Sequence, residues 1–190
     1  LIGEHHQEWD DLLDGHDRVC CLAARDSGKT YFFNFAYPIW KVYYGPRTKG
    51  FIFSQTKPQA ERILMDIKEE LESNSKLQWL VPKKKTIWSN SHIQLANGAH
   101  IYARGFGTRV RGAHPHWLVV DDGVGDEAAY SEPVRTKQID YFFNAITNMI
   151  VPGGQIIVVG TPVHQADLYA ELGVNEAYEF RRYPALNKAG

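Results

Sequence analysis

The 190-residue chain contains no apolar run approaching the roughly 18 residues that a bilayer-crossing helix requires. No N-terminal stretch joins a basic start, an apolar run and a small-residue cleavage site, so a secretory leader is not expected. Cysteine is scarce: Cys20 and Cys21 are the only two, and they are adjacent. Neighbouring cysteines rarely bridge, because a disulfide wants Cα atoms roughly 4.4–6.8 Å apart with converging Cβ vectors. They lie within Val19-Cys20-Cys21-Leu22 and read as buried strand residues. Eight histidines are present, but His5-His6 and His114-Pro115-His116 have no cysteine or carboxylate at zinc spacing. A basic surplus is also missing. The net charge is −1, so any grip on nucleic acid must come from local clusters. Lys83-Lys84-Lys85 and Arg104, Arg109 and Arg111 are the candidates, with a solvated surface as the alternative. Internal repeats and low-complexity segments are absent. These features together lead us to expect a cytosolic globular chain. Its first residue, Leu1, suggests a piece of something longer.

What is present is an ordinary balance, 44% hydrophobic and 23% charged, in a length that suits one α/β domain. Glu4 to Asp14 carries Trp9, Leu12 and Leu13 at helical spacing. Arg18 to Ala23 reads as a buried strand. Thr30 to Tyr44 reads as an aromatic-rich helix stopped by Gly45-Pro46. Gly50 to Ser54 is a short strand. Lys57 to Glu72 is the clearest helix, with Ala60, Ile63, Leu64, Ile67 and Leu71 on one face. Thr86 to Ala103 reads as a β-meander around the Asn97-Gly98 turn. Trp117 to Val120 and Gln155 to Val159 are buried strands, the first ending in Asp121-Asp122 and the second in Gly160-Thr161-Pro162. Glu132 to Ile150 and Ala166 to Leu172 are helical. Short apolar strands alternating with helices predict a mostly parallel sheet covered on both faces. Ligands of such sheets bind outside the carboxyl ends of the strands. The polar clusters after Ala23, Val120 and Val159 all fall there.

Ala23-Ala24-Arg25-Asp26-Ser27-Gly28-Lys29-Thr30 fits the phosphate-loop pattern except at its first position, where Ala23 replaces glycine. Between a strand and a helix, the backbone N–H groups of Ala24 to Thr30 would cradle phosphate oxygens at the positive end of the helix. Gly28 allows close approach of the backbone. Lys29 brings a point charge to the β- and γ-phosphates, and Thr30 offers a hydroxyl to Mg²⁺. Arg25 is either an arginine finger held within the loop or a partner to an acidic loop.

Leu118-Val119-Val120-Asp121-Asp122 has the form of a Walker B strand, with Asp121 holding Mg²⁺. The following position commonly holds the glutamate that activates water. Here it is Asp122, about 1.5 Å shorter in reach, one C–C bond. Glu127 is the alternative base. Thr161 is either a γ-phosphate sensor or part of a strand-ending turn. Gln7, upstream of the first strand, is either an adenine reader or a surface residue.

In this order the motifs resemble the ATPase domain of the large terminase subunit of tailed bacteriophages. The stretches that carry the resemblance are Ala23 to Thr30, Ser54-Gln55-Thr56 with Gln59-Ala60, Asn97-Gly98, Gly107-Thr108-Arg109-Val110-Arg111-Gly112, Leu118 to Asp122, and Pro152-Gly153-Gly154 through Val159-Gly160-Thr161-Pro162. It extends from about Glu4 to Pro184. The resemblance implies a P-loop NTPase fold of the RecA-like, ASCE type, extended by the β-meander as an insertion. It implies an ATPase that uses ATP and Mg²⁺ to drive double-stranded DNA into a procapsid. By position, Arg25 matches the family's switch arginine, Lys29 and Thr30 its nucleotide and Mg²⁺ contacts, Asp121 its Walker B aspartate, Asp122 its catalytic acid and Gly160-Thr161-Pro162 its coupling motif. Implied partners are double-stranded DNA, the portal protein, the small terminase subunit and further copies in a ring, expected to be a pentamer, with no membrane. The implied location is the bacterial host cytoplasm, docked on the procapsid. Residues 1–184 would form the ATPase domain and 185–190 the start of a linker to a nuclease domain, which is expected to be missing. Two other readings remain open: a helicase-like or repair ATPase, and an ATP-binding scaffold without useful hydrolysis.

Overall fold

A computed structural model describes residues 4–24, 26–110 and 112–183. Its frame is a seven-stranded sheet of order β3-β4-β2-β5-β6-β1-β7. The strands are β1 (Arg18–Ala23), β2 (Lys49–Ser54), β3 (His92–Gln94), β4 (His100–Gly105), β5 (Trp117–Asp121), β6 (Gln155–Gly160) and β7 (Glu179–Tyr183). All neighbours run parallel except β3, which is antiparallel to β4 at one edge. This is the mostly parallel, helix-flanked sheet that the alternation of strands and helices predicts.

The inner strands are apolar throughout because both faces are covered. Alternate residues feed two cores. Val19, Cys21, Ala23, Ile52, Trp117, Val119, Ile157 and Val159 enter the first. Cys20, Leu22, Phe51, Phe53, Leu118, Val120, Ile156 and Val158 enter the second. The first face is covered by α1 (Glu4–Gly15), by a π-helical turn (Tyr31–Ala36) running into α2 (Tyr37–Tyr44), and by α3 (Lys57–Ser73). On the second face lie α4 (Glu127–Tyr130), α5 (Glu132–Tyr141) with its π-helical continuation (Phe142–Ile146) and α6 (Thr147–Met149), and α7 (Leu168–Val174). Among the described residues no helix is long and apolar enough to cross a membrane.

Local chemistry sets the helix starts. Thr56 and Gln59 form a reciprocal capping box on α3, and Pro58 sits in its first turn, where no N–H is needed. Ala60, Leu64, Ile67 and Leu71 then point into the first core. Burial of each of the larger chains, Leu64, Ile67 and Leu71, contributes about 1.5–3 kcal/mol.

The segment 86–103 differs from the sequence expectation of an inserted meander. β3 and β4 form a hairpin across Asn97-Gly98, and an isolated bridge between Trp88 and Ile93 is all that extends it outward. β4 is part of the main sheet, paired in parallel with β2 from Lys49↔His100 to Ser54↔Gly105. Burial explains this: Ile101 and Ala103 pack beneath α3, which draws β4 inward. The strand that periodicity did not predict is β7, a half-exposed edge whose register with β1 runs from Val19↔Glu179 to Ala23↔Tyr183.

Candidate active site

The carboxyl ends of β1, β5 and β6 are neighbours in the sheet, and the polar clusters that follow them meet there. After Ala23 the chain curls through two left-handed residues, Asp26 (φ 63°) and Gly28 (φ 82°). Glycine adopts this conformation freely and aspartate tolerates it. Turns of this kind direct successive N–H groups to one side and form an anion-binding concavity. A Cβ on Gly28 would also press on His6 Nε2, 3.1 Å away.

Lys29 is buried and crosses the mouth of the loop. Its Nζ donates to the Ala23 carbonyl (3.0 Å) and to Thr161 Oγ1 (3.1 Å). The next residue, Thr30, donates from Oγ1 to Asp121 Oδ2 at 3.4 Å. Asp121 is the buried last residue of β5, between Ser54 of β2 and Val159 of β6. Burial, and then the negative charge of Asp122, push its carboxyl up to about 7; Lys29, Thr30 and Asn34 oppose this.

Asp122 leaves the strand in a left-handed conformation (φ 44°), with its N–H donating to Val159 O at 3.0 Å. Its Oδ1 accepts from the Thr161 N–H at 3.1 Å, while the side chain remains exposed to water. Ala23, Lys29, Thr161 and Asp122 therefore form one hydrogen-bonded line across three strand ends.

Hard oxygen donors suit Mg²⁺, and this corner supplies them: the Thr30 hydroxyl and an Asp121 carboxylate whose Oδ1 has no hydrogen-bond partner among the described residues. A buried acid raised to about 7 marks a place short of positive charge. The residues fit the ion.

The other predicted residues fall in several places. Ala24, Asp26, Ser27 and Gly28 form the loop. Arg25 and Arg111 lie outside the described residues. Glu127 opens α4 and is exposed. Gln7 is exposed on α1. It is His5 and His6 of that helix that lie against the loop, with His5 Nε2 3.2 Å from Ser27 O and the His6 ring 5.9 Å from Phe32. Of the basic candidates, Lys85 pairs with Glu72 at 2.6 Å, Arg104 donates to the Ser91 and Ala103 carbonyls, and Arg109 is exposed.

Buried polar groups near the site to which the sequence assigns no role include Asn34, Tyr169 and Ser54, the last within the stretch Ser54-Gln55-Thr56 that carries part of the resemblance. Asn34 sits four residues after Thr30, a spacing that does place two side chains on one helical face. Tyr169, on α7, lies directly behind Gly160, and a Cβ at that glycine would overlap its hydroxyl. Nothing in the local sequence signals that contact.

The family described as terminase large subunit, T4likevirus-type, N-terminal, matches residues 20–134, more than half the chain. No curated protein matches it in sequence. Among solved structures, the large terminase of bacteriophage HK97 aligns over 100% of this chain and 41% of its own, at 18% identity and a TM-score of 0.69. The ATPase domain of the Thermus phage P74-26 large terminase aligns over 87% of this chain and 74% of its own, at 15% identity and a TM-score of 0.55. The large terminase of a thermophilic bacteriophage, in complex with ATP-gamma-S, aligns over 93% of this chain and 43% of its own, at 14% identity and a TM-score of 0.58. The chain thus spans less than half the length of two of these proteins, and at such identities the likeness is one of fold. Combined with the family match through β5 and its acids, the sheet and its loop settle the lineage: this chain belongs to the terminase large-subunit family, in its N-terminal region.

Proposed function

We propose that this domain binds ATP with Mg²⁺ on the loop Ala24–Thr30, hydrolyses it, and drives double-stranded DNA into a viral procapsid. The observation that carries this reading is the line from Lys29 through Thr161 to Asp122, which ties the phosphate loop, the last strand and the acid after β5 into one unit. An ordinary anion-binding turn has no need of the second and third members.

In this reading the loop N–H groups bind the phosphates, and Lys29 exchanges the Ala23 carbonyl and the Thr161 hydroxyl for phosphate oxygens. Thr30 and Asp121 hold Mg²⁺, which when bound neutralises charge on the β- and γ-phosphates. Asp122 orients a water molecule and accepts its proton as the water oxygen attacks the γ-phosphorus. The bond from that phosphorus to the β-phosphate oxygen breaks, releasing ADP and phosphate. Glu127 is the alternative base. Arg25 supplies positive charge to the transferring phosphoryl group, and Gln7 reads the adenine edge. Thr161 loses or regains Lys29 as the phosphate comes and goes, which makes it the relay to movement.

The acting form we propose is a homo-oligomeric ring, a pentamer, docked through the portal protein on a procapsid in the bacterial cytoplasm, with the small terminase subunit as a further partner. Contacts to DNA from several subunits add, so that a chain of net charge −1 need grip only weakly. The direct test is Mg²⁺-dependent phosphate release by the chain and by Lys29→Ala. Turnover is expected to vanish in the variant. Wild-type turnover by Lys29→Ala overturns the assignment.

A further inference from the structure

The π-helical turn Tyr31–Ala36 follows directly on the phosphate loop and carries Asn34 into the protein interior, where it is 0% exposed. Its side chain lies against Asp121. The contact by which Asn34 pulls the Asp121 carboxyl down is a loose one: within strict hydrogen-bond distance and angle, neither amide atom of Asn34 has a partner among the described residues, and the same holds for Asp121 Oδ1 and Ser54 Oγ, both buried. These groups converge. Ser54 and Asp121 are register partners in parallel strands and share the parity of Ile52 and Val119. Both side chains therefore leave the sheet on the face that the π-helical turn covers. Thr30 and Asn34 address the same carboxylate from one helix, four residues apart.

A primary amide has two donor hydrogens and an acceptor oxygen, and burying them unpaired is costly. Leucine, with the same branched skeleton of heavy atoms, would occupy nearly the same site without that cost. A partner that arrives with the substrate explains the amide. Mg²⁺ held by a hydroxyl, a carboxylate and phosphate oxygens retains several of its water molecules, and these offer the bonds that Asn34 and Ser54 lack. Outer groups of this kind orient the direct ligands and commonly change metal affinity 10–100-fold.

We propose that Asn34 is a positioning residue for the cation side of the nucleotide site, fixing the Asp121 carboxylate and a cation-bound water, with Ser54 completing the shell. The proposal rests on the reading of Thr30 and Asp121 as the cation ligands.

The experiment uses Mn²⁺ as the probe, titrated into the chain saturated with a non-hydrolysable ATP analogue, with free Mn²⁺ followed by electron paramagnetic resonance. Asn34→Leu is expected to weaken Mn²⁺ binding roughly 10–100-fold. Affinity for the analogue in excess chelator should stay at the wild-type value, and the urea midpoint without nucleotide or cation should be unchanged or higher. Wild-type Mn²⁺ affinity in Asn34→Leu, or a lowered midpoint with that affinity kept, makes the residue merely structural and overturns the proposal. If Asn34→Leu does not fold, Asn34→Ala and Asn34→Thr take its place. Loss of Mn²⁺ affinity in the alanine variant with partial recovery in the threonine variant supports the role, and equal affinities in both overturn it. If the wild-type chain itself fails to bind Mn²⁺ with the analogue, the reading of Thr30 and Asp121 falls, and the role of Asn34 with it.

Discussion

Asp122 accepts a hydrogen bond from the Thr161 backbone at 3.1 Å, so the acid after β5 is held by the residue that follows β6. The contact uses Oδ1 and leaves Oδ2 available to a water molecule. Asp122→Asn retains an oxygen able to accept the Thr161 N–H but cannot take a proton. Turnover should fall at least ~100-fold with nucleotide affinity retained, a general-base effect of ordinary size. Steady-state phosphate release on Asp122→Asn and Glu127→Gln decides between the two acids. A large loss in the glutamine variant alone transfers the role to Glu127.

Gly50 lies beneath the ring of Trp117, its register partner on β5, and a Cβ there would overlap the indole. Trp117 is 1% exposed and packs edge-on against Tyr37 at 5.8 Å, so it has no free direction in which to move. Gly50→Ala should lower stability by about 1–3 kcal/mol through overpacking. Urea denaturation followed by circular dichroism measures this. An unchanged midpoint would show that β2 and β5 can separate at that register.

His92 and His100 share a contact of 2.9 Å on the edge hairpin, with the His92 ring stacked on Tyr102. Burial first, then His100 and Arg104, hold His92 down at about 4. The unfolded chain takes this proton near the ordinary histidine value of about 6.5. Between about 6.5 and about 4 it therefore binds more protons than the folded chain, and the His92 contribution to stability is lost as pH falls through that window. Asp121 acts in the opposite sense: raised to about 7, it favours the folded state below its ordinary value and loses that contribution as pH rises towards 7. Comparison with His92→Phe, which preserves the stacking ring, isolates the histidine. Urea midpoints between pH 7 and 4.5 should fall more steeply in the wild type. Parallel curves would show that His92 titrates normally.

Cys20 and Cys21 are fully buried on β1, and burial is the largest cause raising both thiols, Cys21 to about 12. A thiol is reactive only as the thiolate. The native chain should resist a disulfide reagent such as Ellman's for as long as it remains folded, and both thiols should react at once in denaturant. Rapid labelling of the native chain would mean that β1 opens locally.

Much of this domain can be read directly from the chain. Apolar runs bounded by glycine, proline and paired acids determined β1, β2, β5 and β6, because a strand buried on both faces has to be apolar throughout. The 3.6-residue period and the Thr56–Gln59 box determined α3. Local order also determined the phosphate loop, since a glycine in a left-handed turn followed by lysine and threonine is a complete instruction within eight residues. Tertiary structure alone decided the rest. β4 became part of the main sheet because Ile101 and Ala103 are buried beneath α3, a partner distant in sequence. His5 and His6, rather than Gln7, approach the loop because Trp9 anchors α1 in the first core and sets its rotation. Asn34 and Tyr169 carry no sequence signal, since a lone polar residue in an aromatic or mixed segment is locally unremarked, and Ser54 belongs to a matching stretch that assigns it no role. Only the register of the parallel strands brings Ser54 beside Asp121, beneath the turn that carries Asn34, and only the packing of α7 sets Tyr169 behind Gly160. Chain order fixes what each residue can do, but which residues meet is decided by burial and by strand register, and both depend on the whole sheet.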